Sequence, residues 1–309
     1  MTAISTPVSL HRTLTVRERV DLPRRITLLA AIVVVVFVAL LLFFVGWNGI
    51  QLFVDTKLPL STVLSTEWSI TSTPPHYGIL PFIAGTLAVM VVAAIISTPL
   101  SIGLALFMAE VAPRWARSIA QPAMEVFVGI PSVVYGWLGI TVLVPFLRTN
   151  LHGLGFTLGF SWFAGSLVLA IMILPTITSI CYDVLIAIPR ELRTGSLALG
   201  STRWQTIRHV LIPAAMSGMA TAVVLGMMRA AGEALAVQMV IGNTPVMPTS
   251  LTKPLTTLTS QITLDMGNTV TGEPANQALW TMGLVLLLIS FVFVVVVRRL
   301  ASGQRVAAQ

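Results

Sequence analysis

Six apolar segments, each long enough to cross a bilayer, decide what this chain can fold into. They run approximately Ile26–Trp47, Ile79–Met108, Ile119–Leu147, Trp162–Ile180, Pro213–Ile241 and Leu279–Val297. A helix needs about 20 largely apolar residues to cross about 30 Å of hydrocarbon. Backbone N–H and C=O groups find no water there, so a spanning segment must satisfy them within itself. The expected class is an all-α integral membrane protein with six transmembrane helices. Composition agrees: 56% of the 309 residues are hydrophobic and 9% are charged, against roughly a quarter charged in a soluble domain.

The first span follows Arg24 and Arg25, as a signal peptide would. Its apolar core of about 20 residues exceeds the 7–15 of a signal sequence, and no small-residue cleavage site follows it. Residues 26–47 are therefore expected to remain as an anchor behind a basic N-terminus, residues 1–25. The net charge of +7 does not point to nucleic acid, because the basic residues are spread between apolar runs. It reports topology instead, since cytoplasmic loops retain Lys and Arg. One side carries Arg12, Arg17, Arg19, Arg24, Arg25, Arg114, Arg117, Arg190, Arg193, Arg203, Arg208, Arg298, Arg299 and Arg305. The other has only Lys57, Arg148 and Lys253. Both termini are therefore expected in the cytoplasm. Cys181 is the only cysteine and reads as a packing residue; His11, His76, His152 and His209 are too scattered for a metal-ligand spacing.

The external segments are expected at Asn48–Gly78, Arg148–Ser161 and Gly242–Ala278. The last opens with three prolines and reads as a re-entrant or a surface loop. Between the fourth and fifth spans lies "IPRELRTGSLALGSTRWQTIRHVLIP", Ile188–Pro213. Pro189 suits the first turn of a helix, where its missing N–H costs nothing. Gly200 offers a stop through positive φ. Thr202 and Gln205 have the spacing of a capping box that starts a second helix. Two short helices meeting at Gly200 form an elbow. It would serve either as an interfacial connection, with Leu192, Leu197, Leu199 and Ile207 toward the headgroups, or as a dock for another subunit.

Two charges sit inside the fifth span, in "GMMRAAGEALAVQMVIGN", Gly226–Asn243. On a continuous helix Arg229 lies about 24 Å from Pro213 and about 21 Å from Asn243, at 1.5 Å per residue. That is near mid-membrane, where an Arg costs about 2.5–3.5 kcal/mol by insertion scales. Glu233, four residues on, would share its helical face. Gly218, Ala222, Gly226 and Ala230 repeat at four-residue spacing, which lets a neighbouring helix approach closely. Two readings stand: a buried ion pair that fixes helix register, or a guanidinium that offers bidentate donors to a crossing oxyanion. Glu125, toward the cytoplasmic end of the third span, poses a smaller version of the question and suits a gating or structural role. Pro131 and Gly136 would allow that helix to bend or unwind.

Several stretches together resemble a known family. Gly200 and "LIP", Leu211–Pro213, match the coupling loop of ABC-importer permeases, in which an E-A-A triplet precedes the Gly. Here the triplet positions read Thr194, Gly195 and Ser196, so the acid is missing, and Glu191 lies one turn earlier. "STPLSIGLALFMAEVAP" (Ser97–Pro113) and "MEVFVGIPSVVYGWLGI" (Met124–Ile140) are similar to core helices of the same permeases. "RAAGEALAVQMVIGN" (Arg229–Asn243) and "LTTLTSQI" (Leu255–Ile262) resemble the PstC-type permeases of phosphate importers. The sister PstA type shares R-A-x-G-E but departs from the M-V-I-G-N ending.

The resemblance implies a MetI-like permease core over residues 79–297 with one extra N-terminal helix, a coupling loop at 183–212 and a cytoplasmic tail at 298–309. It implies ATP-driven import of inorganic phosphate past Arg229 and Glu233. ATPase coupling would run through Glu191, Thr194, Gly195, Ser196, Gly200 and Pro213. The implied partners are a PstA-type permease, two cytoplasmic ATPase subunits, an external phosphate-binding protein and membrane lipid. No cofactor would sit on this chain, since ATP and Mg would bind the ATPases. Consistent with that, Lys57 and Lys253 each follow Thr, so no G-x-x-x-x-G-K-[ST] loop exists. An intramembrane protease is poorly supported: Asp183 in "CYDV" and Asp265 in "LDMG" lack a G-x-G-D partner, and neither G-x-S-G nor H-E-x-x-H occurs. A permease for sulfate or molybdate, or a stand-alone secondary transporter, remains as the alternative.

Overall fold

The computed structural model describes residues 16–57, 59–70 and 72–306. The expectations for residues 1–15, including Arg12, and for 307–309 lie outside the described residues, as do the side chains of Arg17, Arg19 and Arg305. Among the described residues, six helical segments are long and apolar enough to cross a membrane: Arg24–Asp55, Leu80–Val111, Ser132–Asn150, Trp162–Ile186, Arg203–Ala231 and Pro274–Leu300. Contacts divide the chain into Met1–Trp47 and Asn48–Gln309.

The first unit is carried by helix α1 (Val16–Asp55). Its side chains from Ile26 to Phe44 are exposed along the whole length. A surface of that size and composition is fit for lipid or another protein, not for water. In the second unit α1 continues eight residues beyond the expected span, to Asp55. There Gly49 lets α13 (Pro274–Val306) come close, since a Cβ would lie 2.7 Å from that of Leu284. Thr281 Oγ1 donates to the Gly49 carbonyl at 2.9 Å, and Gln277 Nε2 to Asp55 Oδ2 at 2.6 Å. A short helix α2 (Leu60–Val63) and an antiparallel hairpin, β1 (Trp68–Ser69) with β2 (His76–Tyr77), connect to α3 (Leu80–Leu106).

The core is built by α3, α7 (Trp162–Ile186) and α10 (Ile212–Ala231). Gly218, Ala222, Gly226 and Ala230 are all buried, as their spacing anticipates. At Gly226 a Cβ would meet Ile177 of α7 at 2.5 Å. Ser101 Oγ of α3 donates to the Leu174 carbonyl of α7 at 3.1 Å. Cys181 is buried in the same cluster.

Two expected spans are not continuous helices. The expected third span, Ile119–Leu147, is split: α4 (Arg114–Gly129) ends at Ile130–Pro131, and α5 (Ser132–Leu138) starts a new direction. Pro131 lacks an N–H and biases the residue before it toward extended backbone, and Ile130 has ψ 129. The α4 part buries no residue, so the long apolar helix begins at Ser132 and reaches Asn150 through α6 (Val144–Asn150). The expected fifth span, Pro213–Ile241, is likewise broken, at Gly232–Ala234, before α11 (Leu235–Ile241). It also starts earlier than expected. Helix α9 (Arg203–Thr206) runs through a wide turn at Ile207–Leu211 straight into α10. The fourth span extends six residues past its expected end, to Ile186, taking the first residues assigned to the 183–212 loop.

Among the described residues three such π-helical turns occur, at Phe107–Val111, Gly139–Leu143 and Ile207–Leu211. Each ends two residues before a proline: Pro113, Pro145 and Pro213. Proline offers no N–H to the carbonyl four residues back and its ring crowds that carbonyl. Each turn is closed by an i→i+5 bond: the Ala112, Val144 and Ile212 N–H groups donate to the Phe107, Gly139 and Ile207 carbonyls.

The orientation can be checked directly. Reporter fusions after Ser65, Gly195 and Ser260 are expected to read outside, inside and outside. Any other pattern breaks the six-span arrangement.

Candidate functional site

The candidate site begins where α10 ends. Arg229 lies in its last turn and is exposed on this chain. Its Nη1 donates to Thr176 Oγ1 of α7 at 3.3 Å. Thr176 lies ten residues, about 15 Å, before the end of a 25-residue helix rising 1.5 Å per residue. The guanidinium therefore sits well inside the span, although α10 is not the continuous helix from which that depth was first argued. On α5 the Tyr135 hydroxyl donates across the Ile130–Pro131 break to the Phe127 carbonyl at 2.8 Å.

The expected pairing of Arg229 with Glu233 is not formed. Because α10 stops at Ala231, the i,i+4 relation no longer places them on one face. Glu233 Oε1 instead accepts from the Ala236 backbone N–H at 3.3 Å, at the start of α11. That satisfies a donor that a helix N-terminus otherwise leaves open. Among the described residues Arg229 has no carboxylate within ion-pair distance. In this geometry Glu233 lies between the two helices and its side chain bonds the first turn of α11.

A polar segment supports the break. Seven consecutive residues, Leu255–Gln261, are buried, the last four of them in α12 (Leu258–Asp265). The segment is an inward turn, not a surface loop. Thr259 Oγ1 donates to the Glu233 carbonyl at 2.7 Å, and the Leu258 N–H is held by Thr86 Oγ1 of α3 at 2.9 Å. Irregular backbone at this depth survives only where protein satisfies it. The entry to the turn is held by Gly242, at φ +92, where a Cβ would meet Pro254 at 2.6 Å. Thr86 and Thr176 lie in none of the quoted motifs, and Tyr135 and Thr259 lie within Met124–Ile140 and Leu255–Ile262 without standing out there. The signal available was a hydroxyl at an otherwise apolar helix position.

Glu125 is exposed near the end of α4. It lines a cavity of about 190 Å³ with Gln121, Thr178, Ser179, Tyr182 and Asp183. It does not lie inside a spanning helix as expected. Pro131 caps α5 at the break. Gly136 is not the bend; it lets α11 approach, since a Cβ would lie 2.7 Å from Met239 Sδ.

The elbow forms with the local chemistry its residues encode. Helix α8 (Arg190–Ala198) is followed by Gly200 at φ +84, and Thr202 and Gln205 make a full capping box. Pro189 precedes α8 as its N-cap and is not in its first turn. Ser196 Oγ lies 2.7 Å from Ser201 Oγ and 3.0 Å from Thr206 Oγ1, so three hydroxyls fasten α8 to α9. Thr194 Oγ1 folds back on the Arg190 carbonyl at 3.2 Å, and Gly195 faces open space. The Glu191 carboxylate forms no ion pair among the described residues. Pro213 lies in the first turn of α10.

Residues 101–306 match the family described as binding-protein-dependent transport system inner membrane component. The chain is 51% identical over 283 residues to the probable ABC transporter permease protein YqgH of Bacillus subtilis (strain 168), covering 91% of this chain and 90% of that protein. It is 36% identical over 255 residues to the phosphate transport system permease protein PstC of Xylella fastidiosa (strain 9a5c), covering 77% and 78%. The fold is similar to a chain of the MetNI methionine ABC transporter in an inward-facing conformation, with a TM-score of 0.55 at 19% identity over 72% of this chain and 95% of that one.

Proposed function

Because the chain belongs to the family of binding-protein-dependent transport system inner membrane components, we propose that it is the PstC-type permease of an ATP-driven phosphate importer. Membership makes it a membrane permease subunit of an ABC importer, with a transport role and no ATPase of its own. Its six spans include a MetI-like core. Phosphate as the cargo is the further step. The observation that carries it is Arg229, a guanidinium well inside the span that, among the described residues, bonds a threonine hydroxyl and has no carboxylate within ion-pair distance. A permanent cation held this way retains donors for a tetrahedral oxyanion. Relatives that include phosphate permeases add weight.

In this reading Arg229 takes phosphate from an external binding protein, with the Thr176 hydroxyl beside it. The exposed flank of Arg229 is closed by a PstA-type permease. Two cytoplasmic ATPases, which bind ATP and Mg, dock at the elbow formed by α8 and α9, with Glu191, Thr194, Gly195 and Ser196 on the docking helix. Their closure moves the core helices and switches the Arg229 region from external to cytoplasmic access. Glu233 holds the break that places Arg229. Glu125 and Pro131 stand on the cytoplasmic side of the same passage, where the α4–α5 break is suited to gating.

The test is uptake by the complete importer, purified with its associated chains and sealed into liposomes with ATP inside. Labelled phosphate is expected to accumulate, with competition from unlabelled phosphate and none from sulfate or molybdate. Preferential sulfate or molybdate uptake would overturn the cargo. Uptake by this chain alone without ATP would overturn the class.

A further inference from the structure

Arg193, which no motif singles out, is the most heavily bonded side chain at the arginine-rich end of the bundle. Its Nε donates to Glu110 Oε1 at 2.9 Å, its Nη1 to the Ile188 carbonyl at 2.8 Å and its Nη2 to the Leu185 carbonyl at 2.7 Å. The two side chains are only 20% and 17% exposed. Three elements meet there: α8, which carries Arg193; the end of α7, whose last carbonyls lack intrahelical donors; and the π-helical end of α3, which carries Glu110. A cation at a helix C-terminus and a charge-assisted fork both favour this placement.

Packing does not make this connection. Helix α8 buries no residue of its own. Open grooves of about 410 and 330 Å³ flank the ion pair on either side, both lined by Glu110 and Arg193. Of the charged residues lining them, Arg117, Arg190, Arg193 and Arg203 are basic, and Glu110 is the only acid. The α8 helix is thus joined to α3 and α7 chiefly through one guanidinium.

The elbow therefore has two outputs. One runs from α8 through the Ser196–Ser201–Thr206 hydroxyls into α9 and on, without a break, to α10 and Arg229. The other runs through Arg193 to α7, which carries Thr176, and to α3. The two meet at the Arg229–Thr176 hydrogen bond. We propose that Arg193, oriented by Glu110, is a positioning residue that makes α7 and α3 move with α10 when the elbow is displaced, so that ATP hydrolysis is converted into opening of the passage. This rests on the elbow being the ATPase dock.

The complete importer in liposomes tests it, with ATP hydrolysed per phosphate imported as the readout. A residue needed only for folding would lower both quantities together; a transmitting residue changes their ratio. In Arg193→Ala the ratio is expected to rise about two- to thirtyfold, the usual span of such coupling effects, while the subunits still co-purify. Arg193→Lys keeps the charge and loses the fork, and should fall between. Glu110→Gln should shift the ratio in the same direction, and adding it to Arg193→Ala should change nothing further, because the two act as one unit. An unchanged ratio in an assembled Arg193→Ala importer overturns the proposal. If that variant does not assemble, unchanged ratios in Arg193→Lys and Glu110→Gln overturn it instead. Gly200→Val separates the two levels: it strains the φ +84 turn itself. If it uncouples while the Arg193 variants do not, the dock stands and the Arg193 proposal falls; if none uncouples, both fall.

Discussion

Arg229→Gln is expected to bring phosphate uptake to background while the permease still assembles with its partners. The substitution keeps an amide able to donate toward Thr176, so the α7–α10 contact that Arg229 makes at 3.3 Å has a replacement. What it removes is the fixed positive charge and the two-pronged donor. Removing one member of a desolvated, hydrogen-bonded charge pair costs about 2–5 kcal/mol, or about 30- to 5000-fold at 1.36 kcal/mol per decade. Arg229→Lys should retain part of the activity, since it restores charge without the planar fork. Labelled phosphate uptake, normalised to co-purified complex, provides the measurement. Wild-type uptake by the Gln variant would remove Arg229 from the passage and return it to a packing role.

Gly85→Ala is expected to be the most disruptive single-methyl change in the fold. A Cβ at Gly85 would overlap the Thr256 carbonyl oxygen, a backbone atom that no rotamer can move aside. The segment Leu255–Gln261 would have to retreat from α3, stretching the bond from the Leu258 N–H to Thr86 Oγ1 and the one from Thr259 Oγ1 to the Glu233 carbonyl. Overpacking alone costs about 1–3 kcal/mol, and each buried polar group left unpaired adds about 1–3 kcal/mol. Thermal unfolding of the purified complex should shift down and uptake should fall with it. Gly103→Ala on the same helix has no atom within 4 Å of the new methyl and should be neutral. If Gly85→Ala matched it in both assays, the inward turn would not be the support of the break at Glu233.

These two sites differ in how far they could be read in advance. Arg229 stood out because a charge in an apolar run is costly. Gly85 did not, because its neighbour Thr256 lies 171 positions away in sequence. The elbow shows the same contrast at close range. Gly200 and the Thr202–Gln205 box were legible because positive φ and N-capping are local chemistry. Arg193 reaches Glu110 across 83 residues, and nothing near either residue announces the partner. The break in the third span was half legible, since Pro131 marks a place where a helix can stop. The break in the fifth was not: "RAAGEALAV" is rich in good helix formers, and only the outside donor from Thr259 and the cap that Glu233 supplies make an interruption affordable there.

By itself, then, the amino-acid order determined the class of solvent, the number of crossings, the positions of the strong caps and the presence of a charge that lipid would not tolerate. Those are properties of single residues or of neighbours within a few turns, and each has a free-energy cost that local chemistry sets. The tertiary structure alone decided where two of the crossings break, that Glu233 caps a helix instead of pairing with Arg229, and that Arg193 joins the elbow to α3 and α7. Each of these depends on a donor or acceptor brought from a distant part of the chain. Inside a bilayer, where water cannot supply the missing partner, the fold must supply it.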